Sequence, residues 1–202
     1  MHWFDDADAI TSALPAIWLV RTDAGPRNLT ERSALRRDAA RRVLARQLGR
    51  QESEIVIDHD PAGRPLLALP EALHLSLATR AGIVAVGLAQ HRLGVDVERV
   101  DAEATPPLDL LHPDERRILE ATTPPARALA FAQLWAAKEA YVKALGTGFT
   151  RSPESFRVSL LSETRFGVLD PSRDTAFQGE LRLMKNGGQD ILAAAAIVLD
   201  RD

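Results

Sequence analysis

ARALAFAQLWAAKEAYVKAL, residues 126–145, is the most strongly helical stretch of the chain, and Gly146-Thr147-Gly148 ends it. Alanine and leucine dominate it, and both are strong helix formers. On such a helix Trp135, Glu139 and Lys143 follow one another at i, i+4 and share a face, while Leu134, Tyr141 and Leu145 supply an apolar seam. The Glu139–Lys143 pair has two readings. It is an ordinary exposed pair worth a few tenths of a kcal/mol, or a charged pair that an apolar helix turns into an internal cleft. Basic-residue usage bears on the choice. Of 25 basic residues only Lys138, Lys143 and Lys185 are lysine. An ammonium is a compact point charge where a guanidinium is a planar fork, so a chain that spends arginine elsewhere and keeps two lysines here has a use for the ammonium.

Working outward, Pro124-Pro125 breaks the chain ahead of that helix, and Pro113 to Glu120 predicts a shorter one. Asp101 to Pro107 is polar, carries two prolines and marks a seam between two halves, 1–100 and 101–202. Before the seam, Gly94 to Val100 alternates as a strand. Residues 73–78 and 83–89 predict a hairpin joined through Arg80-Ala81-Gly82, and Asp60 to Pro65 is turn chemistry. Glu54 to Asp58 predicts a short strand, and residues 30–48 a helix capped by Thr30 and ended by Gly49. Downstream, strands are expected near 155–160 and 179–184, with Asn186-Gly187-Gly188 turning into a last strand at 190–199. Each half thus runs long helix, single strand, hairpin. The fold class is α+β, with two similar halves packed face to face and a site between them.

Composition sets bounds. The chain has 202 residues, 46% hydrophobic and 26% charged, which describes a folded globular protein rather than a disordered one. Without cysteine, disulfides and thiolate metal sites are excluded. The longest apolar run, Ile191 to Leu199, is too short to span a bilayer, and the acidic start Met1-His2-Trp3-Phe4-Asp5-Asp6 lacks the basic region of a signal peptide. A cytoplasmic protein without a membrane partner is expected. The net charge is −3, yet residues 31–50 hold seven arginines against Glu31 and Asp38. Such a basic helix steers phosphate-bearing or acidic ligands, or is simply a solvated face. Nucleic acid is not expected as a partner, because the chain is acidic overall and no aromatic residue interleaves those arginines.

In the strand GVDVE (94–98), Asp96 and Glu98 point to one face, roughly 6–7 Å apart along the backbone. Two carboxylates at that spacing suit a hard divalent cation, although a strand with one wet face has the same pattern. A third carboxylate from the helix would complete an oxygen face for magnesium, and Lys143, one turn on, would reach the phosphates of a substrate. No Walker or kinase-type glycine loop is present to hold them otherwise.

The ordered pair GVDVE (94–98) and WAAKEAYVKALGTGF (135–149) resembles the 4′-phosphopantetheinyl transferase family of the surfactin-synthetase-activating type. Ala62-Gly63-Arg64-Pro65-Leu66 is similar to its G-[KR]-P segment, and His74-Leu75-Ser76 stands where it has a strand leading into a hairpin. The resemblance covers residues 35–150 and implies transfer of 4′-phosphopantetheine from coenzyme A to a serine of an apo acyl or peptidyl carrier protein, with release of adenosine 3′,5′-bisphosphate. It implies magnesium held by Asp96, Glu98 and Glu139, with Glu139 or Glu98 as base. Lys143 is implied on the coenzyme A diphosphate, with Lys138, Arg41, Arg64, His74 and Ser76 around the coenzyme. It also implies a pseudo-twofold pair of halves in one monomer. One departure stands out. The family commonly has Ser-His-Ser or Ser-His-Thr in the hairpin strand, with the histidine on the coenzyme's 3′-phosphate, and this chain has Ser76-Leu77-Ala78. That departure motivates the alternative of a family member that binds coenzyme or carrier without turning over.

Overall fold

A computed structural model describes residues 1–22, 28–68, 72–147, 150–185 and 190–199. Among the described residues, eleven strands and three α-helices follow one another in the order β1 (His2–Phe4), β2 (Ala16–Arg21), α1 (Leu29–Leu48), β3 (Ile57–His59), β4 (Pro65–Leu67), β5 (His74–Arg80), β6 (Ile83–Ala89), β7 (Arg92–Arg99), α2 (Pro113–Glu120), α3 (Pro124–Leu145), β8 (Arg157–Ser162), β9 (Arg165–Leu169), β10 (Phe177–Lys185) and β11 (Ile191–Leu199). The mixed α+β class expected from the sequence is what forms. Strands β1 and β2 lie in a region where the sequence reading placed no element. The expected strand at 54–58 starts later, because Gln51 and Glu54 close a short 3₁₀ turn on each other first.

Two main sheets form. One has the order β1-β2-β6-β5 and the other β7-β11-β10-β9-β8, while β3 and β4 make a separate ribbon. Within both sheets a strand, a long helix and a hairpin follow one another, and the strand pairs antiparallel with the hairpin's second member: β2 with β6, and β7 with β11. The recurring unit is therefore strand–helix–hairpin, not the helix–strand–hairpin order expected. By hydrogen bonding β7 already belongs to the second sheet, so the change of sheet falls ahead of Arg92 rather than at the 101–107 seam.

The layers run α1, first sheet, second sheet, α3. Ala40, Val43 and Leu44 of α1 pack on Trp18, Leu75, Leu77 and Val86. Ile17, Leu19 and Ala85 on the other face of that sheet meet Leu93, Val95, Val97 and Ala194 of the second. Tyr141, Ala137 and Leu145 of α3 close the far side against Phe166, Ala195 and Ile197. Strand alternation makes this possible, since β11 is apolar on both faces and β7 turns Leu93, Val95 and Val97 to the first sheet and Gly94, Asp96 and Glu98 to the other side.

Helix ends follow known cap chemistry with one correction. Asn28, not Thr30, caps α1 by accepting from the Glu31 N–H. Gly49 and Gly146 end α1 and α3 in the left-handed conformation that glycine adopts without penalty. Pro124 and Pro125 open α3, where their missing N–H groups cost nothing. The Asn186-Gly187-Gly188 turn lies outside the described residues.

At Gly94, α3 lies close against β7. A Cβ on Gly94 would stand 1.7 Å from the Ala140 carbonyl oxygen and 2.7 Å from the Ala144 nitrogen. Backbone meets backbone there, so no side chain can yield. Gly94→Ala is expected to destabilise the chain by about 3 kcal/mol or more in urea unfolding. Gly167→Ala is the comparison, since its Cβ would meet only a Leu161 methyl at 3.4 Å; its cost should stay within about 1 kcal/mol.

Candidate active site

Because Gly94 admits α3 so closely, the next residue on its face of β7, Asp96, meets the helix. Lys143 Nζ donates to Asp96 Oδ1 at 2.6 Å and to the Val95 carbonyl at 3.2 Å. Asp96 Oδ2 is buried without a hydrogen-bond partner. Glu98 Oε2 lies 3.1 Å from Nε of Arg80, the last residue of β5. On α3, Trp135, Glu139 and Lys143 are half-buried while their neighbours are buried, so the expected i, i+4 face is the one turned toward this crevice. Ser76 Oγ accepts the Val95 N–H at 3.0 Å. That bond clips β5, an edge strand of the first sheet, to β7, an edge strand of the second.

Three carboxyls in one crevice raise one another's cost of ionisation. Burial pushes Asp96 up, against the pull of Lys143. Burial first and the Asp96 charge second push Glu98 up to about 7, with Arg80 and Lys143 opposing. Glu139 rises by burial and by Asp96, again against Lys143.

The crevice opens into a cleft of about 250 Å³ between the halves. Glu139, Val142 and Lys143 form one wall, and Leu75, Ser76 and Leu77 another. Arg36 of α1 and Arg64 of the 60–65 turn bring positive charge to it, and His59 joins them. Burial depresses both guanidiniums, reinforced at Arg36 by Arg37 and Arg32 and at Arg64 by Arg92. A smaller hollow of about 160 Å³ lies on the Glu98 and Arg80 side, walled by Phe131 and Trp135. Those two rings stack at 5.8 Å between centroids.

Of the residues implied by resemblance, Glu139, Lys143, Arg64 and Ser76 line the cleft, Asp96 adjoins it through Lys143, and Glu98 stands on the side of the smaller hollow. Three do not act as expected. Arg41 is a correction: it sits beside Asp38 at 3.9 Å and does not line the cleft. Arg36 does, since it lies at i−4 and i−7 from the core-facing Ala40 and Val43, whereas Arg41 is turned well away. That periodicity could have singled out Arg36. Lys138 is a second correction. It is 1% exposed, 2.8 Å from Glu115, and donates to the Pro153 and Phe156 carbonyls at 2.7 and 2.8 Å. It points into the core of the second half, one helical step from the cleft-facing Glu139. Glu115 also accepts the Val158 N–H at 2.5 Å, so this buried pair fastens α2, α3 and β8 together. His74 stays behind the cleft wall, where its Nδ1 accepts from Arg64 at 2.7 Å and orients that guanidinium. Arg80, one of the arginines expected to stand in for the missing histidine on a 3′-phosphate, lies at Glu98 instead, and His59 had no expected place in the site. Gly148, in the expected substrate-facing turn, lies outside the described residues.

Magnesium is implied by the resemblance. Carboxylate oxygens and the unpartnered Asp96 Oδ2 fit a hard divalent cation in donor type. Among the described residues, however, no three acidic or histidine side chains are gathered into a coordination set. Lys143 and Arg80 each hold one of the acids instead.

A family profile described as the 4′-phosphopantetheinyl transferase superfamily matches residues 92–196. That span runs from β7 through α3 to β11 and includes Asp96, Glu98, Glu139 and Lys143. Among solved structures the chain is similar to a Thermotoga maritima holo-[acyl-carrier-protein] synthase, at 23% identity and a TM-score of 0.37, covering 52% of this chain. The chain spans 62% of the length of that synthase. No curated protein matches. Among the described residues, no helix is long and apolar enough to cross a membrane.

Glu98 gives the crevice a pH signature. Its folded value of about 7 exceeds its ordinary value of 4.5, so between them the folded chain binds more protons than the unfolded chain. Its contribution to stability is therefore full below the ordinary value and is lost as pH rises through about 7. Unfolding in EDTA across this range should show wild-type stability falling with pH more steeply than that of Glu98→Gln. Parallel profiles would refute the assignment.

Proposed function

The chain belongs to the 4′-phosphopantetheinyl transferase superfamily, and we propose that it transfers the 4′-phosphopantetheine arm of coenzyme A to a serine of an apo acyl or peptidyl carrier protein. The observation that supports this best is the meeting of Asp96, Glu139 and Lys143 at a cleft whose opposite side carries Arg36 and Arg64. Acid and ammonium come from β7 and α3, and the guanidiniums from the other half. The surfactin-synthetase-activating type fits a chain in which two strand–helix–hairpin halves enclose one cleft, and we infer that the halves are a pseudo-twofold pair. Both walls come from a single chain, which favours a monomer.

In the proposed reaction the serine Oγ forms a bond to the β-phosphorus of coenzyme A. The bond from that phosphorus to the bridging oxygen breaks, and adenosine 3′,5′-bisphosphate leaves with the electron pair. Asp96, Glu98 and Glu139 would hold a magnesium ion, which supplies charge neutralisation for the diphosphate. Lys143 meets the diphosphate from the cleft wall. The serine proton passes to Glu98 or Glu139. Arg64, aimed by His74, and Arg36 take the nucleotide end. A guanidinium binds phosphate well, so Arg36 and Arg64 offer the charge for the 3′-phosphate that Leu77 does not.

Asp96→Ala, Glu139→Ala and Lys143→Ala should each lower transfer by roughly a hundredfold or more with the fold retained. The measurement is the mass gain of apo carrier proteins incubated with coenzyme A and magnesium. Near-normal gain with any variant would remove that residue from the chemistry. Binding of coenzyme A with no mass gain on any of several carriers would favour the binding-module reading that Leu77 motivates.

Arg36 is tested by ligand choice. Wild type should bind coenzyme A more tightly than 3′-dephospho-coenzyme A in calorimetry, and Arg36→Gln should lose about tenfold or more of that preference. An unchanged preference would move the 3′-phosphate away from Arg36.

A further inference from the structure

Gly49 and Gly146 end the two long helices in the same left-handed conformation, at φ of 62° and 74°. Their surroundings differ. A Cβ on Gly49 would meet nothing within 4 Å, whereas one on Gly146 would stand 3.1 Å from Nη1 of Arg64 and 3.5 Å from its Cδ. Glycine is thus required at 146 twice, once by the backbone and once by the arginine that lies across it. Arg64 comes from the turn between β3 and β4, in the first half, and Gly146 from the end of α3, in the second. Both line the cleft.

Arg64 is also fixed elsewhere. Asp60 Oδ1 accepts the Arg64 N–H at 2.9 Å, and the Asp60 N–H donates to the Arg64 carbonyl at 3.0 Å, which holds the backbone of the turn. Nη2 donates to His74 Nδ1 at 2.7 Å. A guanidinium has only donors, so that ring nitrogen carries the lone pair. Nη1, on the other arm of the fork, rests over Gly146. A side chain at 146 would therefore press on a guanidinium already tied at its second nitrogen. An arginine fixed in advance binds an anion without the ordering cost that a free one incurs. The helix end matters for a further reason. Gly146 stands one helical turn after Lys143. Arg64 and the Lys143 ammonium thus rest on the same turn of α3, although one comes from each half.

We propose that Gly146 is a positioning residue for the coenzyme: its missing side chain is the seat of the Arg64 guanidinium, and that seat sets the spacing of Arg64 from Lys143 along the cleft. This rests on the proposed function, which gives Arg64 the nucleotide end and Lys143 the diphosphate.

The test is a double-mutant cycle read by calorimetric titration with coenzyme A. Gly146→Asn adds a side chain in a residue that tolerates the left-handed conformation. It should weaken coenzyme A binding about fivefold or more, and in transfer assays raise KM for coenzyme A much more than it lowers kcat. In an Arg64→Ala background the same substitution should change the affinity by less than about twofold, because the guanidinium it displaces is gone. Gly49→Asn is the control, the same cap exchange with nothing to displace. It should lose a similar amount of stability in urea and bind coenzyme A as wild type does. Should Gly146→Asn not fold, Gly146→Ala carries the same cycle, with a smaller loss expected. Full coenzyme A affinity in the residue-146 variant, an equal loss with and without Arg64, or an equal loss in Gly49→Asn overturns the seat and leaves the transferase reading intact. Failure of wild type to bind coenzyme A would overturn both.

Discussion

The seat of α3 on β7 is the constraint from which the rest of the molecule follows. With no Cβ at Gly94, the helix backbone comes within contact of the strand backbone. At that distance a lysine one turn from Gly146 spans to the strand's next inward residue, and Asp96 and Lys143 pair at 2.6 Å. A longer separation would let water between them and return both groups to ordinary surface behaviour. The burial that raises the three carboxyls is the electrostatic consequence of the same close packing.

The crevice is held from both halves by polar contacts that do not themselves face a ligand. Ser76 ties the edge of one sheet to the edge of the other through the Val95 N–H. Arg92 donates to the Leu145 carbonyl at 3.2 Å, satisfying the end of α3 where the helix dipole favours a cation. The buried Glu115–Lys138 pair locks the far face of α3, and Asp170 receives Tyr141, Arg151 and Ser172 below it. Burial alone would raise Asp170, yet these donors hold its carboxyl below the usual range. Alternate residues of α3 thus serve two ends: Glu139 and Lys143 face the cleft, and Lys138 and Tyr141 fasten the helix that carries them.

Charge is arranged along the cleft in the way a polyanionic ligand requires. Acids and one ammonium stand at the inner end, while Arg36 and Arg64 stand beyond them with burial working against their charge. Among the described residues no carboxylate forms an ion pair with Arg36 or Arg64, whereas Arg41 and Arg42, farther along α1, have Asp38 and Asp8. A half-buried cation without a counter-ion costs stability that a bound anion returns. The basic character of α1 is therefore two things at once, a solvated face and one arginine turned inward.

Much of this was legible in the order of residues. Local signals placed α1 and α3 within a few residues, because alanine-rich periodic segments ended by glycine specify helices whatever surrounds them. The same holds for the two-residue periodicity that set Asp96 and Glu98 on one face of β7. What the chain alone did not disclose depends on contacts between distant segments. Lys138 and Lys143 are chemically alike and close in sequence, yet the five-residue step from one to the other turns the first into the core and leaves the second at the cleft. Arg36 displaced Arg41 for the same reason, since the direction of each depends on how α1 is rotated against its sheet. The partner of β7 was likewise decided by β11, almost a hundred residues later, not by its neighbours in the chain. Periodicity determines which residues share a face; only packing decides what that face meets.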